Sequence, residues 1–204
     1  MRSNSGISNA LTGVGTKPNR RYGAFAQALH WITALLVLFA FIYGPGGSEQ
    51  RVYEASVDFD RQLHETLGLC VFVLTVLRVL WWTINRRPPP PQLPRSMEIA
   101  SRATQWGLYL LLFALPLTGI LSAWLEGHPL TLLLGAQVGP LFSPSHDLGV
   151  RIASLHGWLG DAILWLAGLH ALAALYHHFI RKDDVLASML PRSLKLRGLG
   201  RPPH

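Results

Sequence analysis

"SLHGWLGDAILWLAGLHALAALYHHFI", residues 154–180, decides the fold of this chain. The stretch is almost free of charge and longer than the ~20 residues a helix needs to cross a bilayer. Yet it carries His156, His170, His177 and His178. An imidazole in hydrocarbon is costly unless something coordinates or hydrogen-bonds it.

Three more blocks have the same character: Ala24 to Tyr43, Leu67 to Ile84 and Thr104 to Leu125. Half of the 204 residues are hydrophobic and only 14% are charged. A soluble helical bundle interleaves charge every few residues to make a wet face, and none of these blocks does so. The pattern predicts an all-α integral membrane four-helix bundle. Its expected divisions are a disordered N-terminal tail over 1–20, a membrane domain over 21–192 and a basic C-terminal tail over 193–204. The Arg20/Arg21 pair before an apolar run mimics a signal peptide. No small-residue cleavage site follows Tyr43, so that run is read as a retained helix.

Charge sets the expected orientation. Fourteen of the eighteen Lys and Arg residues fall in the N-terminal tail, the segment between blocks two and three, and the C-terminus. Arg51, Arg61 and Arg151 alone lie in the other two loops, with Glu49, Glu54, Asp58, Asp60, Glu126 and Asp147. By the positive-inside rule both termini are cytoplasmic, and the net charge of +7 is mostly topology. No basic and aromatic module suggests nucleic-acid binding.

Pro88 to Pro91 reads as a stiff spacer with an amphipathic lead into helix three. Leu130 to Leu134 is too short to span and is expected at the membrane interface. Trp81, Trp82, Trp106, Trp124 and Trp158 fit an aromatic belt. Pro116 is expected to kink helix three, a wall that offers no histidine. His128, His146 and His204 read as solvated. The single cysteine, Cys70, excludes a disulfide, an iron–sulfur set and covalent C-x-x-C-H haem; any redox cofactor needs other ligands.

Histidine depth supplies them. His30 lies a few residues into helix one, at the inner side, while His64 and His156 open helices two and four at the outer side. His170 follows His156 by 14 residues, a rise of ~21 Å and nearly four full turns, so both share one face of helix four. Two levels result: His64 with His156 outside, His30 with His170 inside. Two imidazoles facing each other across a bundle suit a bis-histidine haem iron. Arg78, 14 residues after His64, should share its face at the inner level, where a haem propionate would give it a partner; the alternative is that it snorkels to the cytoplasmic headgroups.

At these residues the chain resembles the bacterial cytochrome b561 family. The stretches "QALHWITALLVL", "LHETLGLCVFVLTVLRVLWW", "YLLLFALPLTGIL" and "LHGWLGDAILWLAGLHALAALYHHFIRKDDVLASMLPR" carry the likeness, in family order, over residues 21 to 192. The resemblance implies a di-haem b cytochrome of the bacterial inner membrane, with ligands on His30, His64, His156 and His170. It implies oxidation of superoxide at the periplasmic face and reduction of ubiquinone. The alternative is a relay subunit passing electrons between a partner dehydrogenase, hydrogenase or periplasmic protein and the quinone pool. Outer loops with six acids against three arginines do not favour an anion, unless Arg51, Arg61 or Arg151 focuses one locally. Quinone reduction also needs protons, for which His177 and His178 are candidates by chemistry. His177 keeps nearly the face of His170 and is expected to meet a propionate or quinone; His178 is expected to reach the headgroups.

Overall fold

The computed structural model describes residues 21–85 and 93–191. The two tails, the Pro88 to Pro91 spacer and His204 lie outside the described residues. Four long helices form the bundle: α1 (Ala24–Ile42), α3 (Asp58–Ile84), α4 (Arg95–Leu125) and α5 (His146–Tyr176). A short α2 (Glu49–Val52) and a 3-10 turn (Ala55–Val57) join α1 to α3. Each long helix is apolar and long enough to cross a membrane.

Helix ends extend past the apolar blocks where local charge pairs support them. Arg102 donates to Glu98 (2.6 Å) below the membrane part of α4, and Arg151 to Asp147 (3.2 Å) in the first turns of α5. Such i, i+4 pairs stabilise a helix in water, so hydropathy alone starts both elements too late. α5 runs unbroken from His146 and continues into one π-helical turn, His177–Arg181. Lys182, at φ 52°, ends it in the left-handed conformation typical of a helix stop. A five-residue α6 (Val185–Met189) follows.

α1 packs chiefly on α3 and α4 on α5; the two pairs meet mainly through α3 and α4, and α1 touches α5 only sparsely. Long apolar side chains point outward, including Leu110, Trp165, Leu172 and Ile84. In water this surface would aggregate; in lipid it is solvated, and packing between helices supplies the cohesion. Inside sits a small layer of Val71, Leu112 and Ile163. Val71 is seven residues after His64 and Ile163 lies midway between His156 and His170, so this layer occupies the middle of the span. Thr33 and Thr75, both buried, donate to the carbonyls four residues back, Leu29 and Val71. No polar group of theirs is left unmet.

The loop after α4 departs from expectation. α4 stops at Gly127, whose φ of 89° suits glycine, while His128 N–H reaches back to Ala123 O at 2.8 Å. Leu130–Thr131 (β1) and Gln137–Val138 (β2) then form a two-stranded antiparallel hairpin, Leu130 opposite Val138. The hairpin folds onto α3: Thr131 N–H donates to Glu65 Oε2 (2.5 Å) and Leu133 N–H to Thr66 Oγ1 (2.9 Å). Leu130 is buried beneath it, and Leu134, at φ 74°, is fully exposed at its tip.

Both described chain ends lie together. Tyr22 N–H bonds Ser188 O at 3.2 Å, as an even number of crossings requires.

Candidate cofactor sites

His64 on α3 faces His156 on α5 with ring centroids 5.9 Å apart and planes at 85°. The carbonyl of Ala40 on α1 lies 2.7 Å from His64 Nδ1, and that of Leu115 on α4 lies 3.0 Å from His156 Nδ1. A carbonyl can only accept, so each Nδ1 carries the proton and each Nε2 keeps its lone pair for a ligand role. Thr118 Oγ1 sits 3.1 Å from the same nitrogen of His156. Gly119 permits the approach: a Cβ there would meet His156 Cε1 at 3.2 Å. Gly44 does the same for His64, where a Cβ would stand 3.3 Å from Nδ1. Helix α4 is therefore more than the wall expected from its lack of histidine. It runs unbroken through the buried Pro116 and orients a ring on α5.

At the other end His30 on α1 faces His170 on α5, centroids 6.3 Å apart and planes at 74°. Among the described residues no hydrogen bond holds either ring. Arg78 lies beside this pair, close enough for its charge to act on both histidines. Its guanidinium also rests over the Tyr109 ring at 5.4 Å, and no described carboxylate pairs with it.

A metal between two imidazoles, with bonds of about 2 Å and roughly 1 Å from nitrogen to ring centre on each side, separates the centroids by about 6 Å. Both pairs have that spacing. Among the described residues no cluster of three or more metal-ligating side chains occurs. Two facing imidazoles without a third protein ligand suit a centre whose remaining positions a macrocycle fills. Gly68 and Gly160, one turn inward of His64 and His156, have no atom within 4 Å of where a side chain would start. A flat ring has room beside them, so the residues fit haem.

Comparison with known proteins agrees with this chemistry. The family model for prokaryotic cytochrome b561 matches residues 21–192. The chain belongs to the prokaryotic cytochrome b561 family. Relatives include cytochrome b561 homolog 2 of Escherichia coli, 33% identical over 87% of this chain and 95% of the relative. The probable superoxide oxidase CybB of Yersinia pestis is 29% identical over 85% of the chain and 98% of the relative. Cytochrome b562 of Cereibacter sphaeroides is 30% identical over 83% and 94%. With four apolar spans, this member of the family is a multi-pass electron-transfer protein of the bacterial inner membrane that binds b-type haem.

Other candidates stand differently. His177 gives its Nδ1 to Asp183 Oδ2 at 2.6 Å. His178, expected at the headgroups, has its Nε2 buried with no hydrogen-bond partner among the described residues. His128 is partly exposed but not without partners: it stacks on Tyr53 at 3.5 Å and 21° and bonds Glu49 Oε1 at 2.9 Å. His146, mostly exposed, lies 3.4 Å from Glu49 Oε2. Burial, with Glu65 and Glu126 nearby, raises the Tyr53 phenol above its ordinary range. Burial and the charge of Glu49 likewise hold the Glu126 carboxyl above the usual carboxylate range. Arg61 is no anion trap, since it pairs with Asp58 and with Glu65 (3.0 Å) and lies over Tyr53. Arg151 is exposed but paired with Asp147.

Sequence reasoning also missed a set of contacts at the chain ends. Arg21 donates to the carbonyls of Ala187 (2.8 Å) and Leu190 (3.1 Å), Gln27 to Ser188 (3.0 Å) and Trp31 to Met189 (2.8 Å). The closing carbonyls of a helix lack partners within it, so Gln27 and Trp31, four residues apart on α1, and Arg21 just before it are long donors that become readable once α6 is known to end there.

Proposed function

We propose that this cytochrome b561 carries electrons across the membrane through two b haems, one at His64/His156 and one at His30/His170. The donor side faces the periplasm and ubiquinone is the acceptor. The observation that supports it is the pair of facing imidazoles at each of two levels, 14 residues apart on one unbroken α5. Haem b held by two imidazoles supplies reversible one-electron chemistry without an open position for oxygen. The chain's own part is to fix the rings: the Ala40 and Leu115 carbonyls hold the outer imidazoles as Nε2 ligands. Arg78 offers a cation for an anionic propionate at the inner pair. His177, with Nδ1 committed to Asp183, retains Nε2 to meet a propionate or to exchange a proton with quinone. Cytoplasmic termini follow from the charge of the loops, and 21–192 forms the working domain.

Superoxide is the donor that the name of the Yersinia pestis relative suggests. A second reading, a relay that takes electrons from a partner protein, is favoured by the outer face, where Arg61 and Arg151 are neutralised by carboxylates. Purified protein decides between them. If superoxide reduces the haems and added quinone reoxidises them, the oxidase reading stands; if only a redox protein reduces them, it falls. A reduced spectrum lacking a b-type α-band sinks both.

A further inference from the structure

The two ligand helices of the inner pair barely touch each other, and no hydrogen bond to His30 or His170 occurs among the described residues. The packing of α1 on α3 and of α5 on α4 relates them only indirectly. α6 bridges them: on one side its last carbonyls receive Arg21, just before α1, and Gln27 and Trp31 on α1. Gln27 is buried, precedes His30 by three residues and so lies on the same flank of α1. Trp31 follows His30 directly, and its ring meets the His30 ring edge-on at 5.4 Å. On the other side Asp183 takes a hydrogen bond from His177, seven residues beyond His170 and on nearly the same face of the α5 end. The other carboxylate oxygen of Asp183 accepts the Val185 N–H at 3.1 Å, in the first turn of α6. Arg181 adds an ion pair at 3.4 Å.

We propose that the segment from Asp183 through α6 is a strut that spaces His30 from His170, with Gln27, Trp31 and Asp183 as positioning residues for the inner haem. The strut rests on the assignment of His30 and His170 as ligands. It joins the two helices through polar contacts at the membrane boundary, where side-chain donors reach backbone carbonyls that are otherwise without partners. The outer pair needs no such device, because its rings are tied to the backbone of neighbouring helices.

The test uses the full-length protein in detergent and in native membranes, reading haem per chain and the low-spin electron paramagnetic resonance signal of each haem. Gln27→Ala combined with Trp31→Phe removes two strut bonds while keeping an aromatic ring beside His30. We expect loss of the inner haem, about half the total, or a changed g-anisotropy of its signal, with the outer signal intact as the control for folding. Asp183→Ala should act likewise, and Asp183→Asn, whose single amide oxygen can accept from only one of the two donors, His177 or Val185, should change the signal less than Asp183→Ala does. Unchanged signals from both haems, or equal loss of both, overturn the strut. His30→Ala separates this from the ligand assignment: if it retains both haems, the assignment fails; if it loses one while the strut variants lose none, only the strut fails.

Discussion

The two histidine pairs have nearly the same spacing, 5.9 Å outside and 6.3 Å inside, and are held by opposite means. At the outer pair each ring is tied by Nδ1 to a carbonyl of a neighbouring helix, Ala40 or Leu115, and glycines at 44 and 119 admit the rings. At the inner pair no described residue ties either ring by a hydrogen bond; a cation stands beside them, and the proposed strut at the chain ends would set their spacing. Outer ligand geometry is thus a property of local backbone, and inner geometry a property of how helices are spaced.

Loss of a ligand is the largest way to probe that difference. His64→Ala and His156→Ala should each remove the same haem, and His30→Ala or His170→Ala the other, halving the haem content in every case. Loss of one common haem from His64→Ala and His170→Ala breaks the pairing. Next comes Gly119→Leu, whose Cβ alone would stand 3.2 Å from the His156 ring; the outer haem should be lost or its signal altered and the inner one kept. Ile163→Ala lies between the levels and should treat them alike. It should lower stability by about 2 kcal/mol, the low end for truncating a buried isoleucine because in lipid mainly the packing loss remains. A thermal melt followed at both haem signals checks it. Arg78→Leu is subtler. Removing a cation disfavours the more negative, reduced state, so the inner midpoint potential should fall in a redox titration while the outer one holds.

Acid should produce the smallest effects, and with opposite sign at the two ends. Burial works against the charge of Asp183, but the His177 hydrogen bond wins and holds its carboxyl below the ordinary range. Its contribution is present above the unfolded carboxylate value near 4 and fades as pH falls through the lower folded value. The inner signal should therefore be flat from pH 7 to about 5 and change only below about 4. Glu126, held high by burial and Glu49, penalises the folded loop once it ionises, so mild acid should tighten the outer loop. In Glu126→Gln that pH dependence should flatten.

The spans and the histidine levels were legible because both follow from helical arithmetic on side chains: an apolar run of bilayer length, and 14 residues between His156 and His170. What stayed hidden belongs to the backbone. Nothing in "ALPLTG" announces that the carbonyl of Leu115 receives a proton from His156, since every residue has a carbonyl. α6 is too short to show periodicity, so the role of Gln27 and Trp31 could not be read before its last carbonyls were seen beside them. That Leu130 to Leu134 would form a hairpin on α3 was not readable, because apolar content alone cannot register the hydrogen bonds from Thr131 and Leu133 to α3. The partners of the partly exposed His128, Tyr53 and Glu49, were not readable because they are distant in sequence.

The layer of Val71, Leu112 and Ile163, with Thr75 sealed against its own helix, also has an energetic meaning for the cell. Electrons can tunnel past aliphatic side chains, while protons need a chain of water or titratable groups. This layer offers protons no such chain. On the proposed orientation, each electron carried inward then moves charge against the membrane voltage, at up to about 2.3 kcal/mol per 100 mV. The bundle would charge the membrane like a battery plate instead of short-circuiting it.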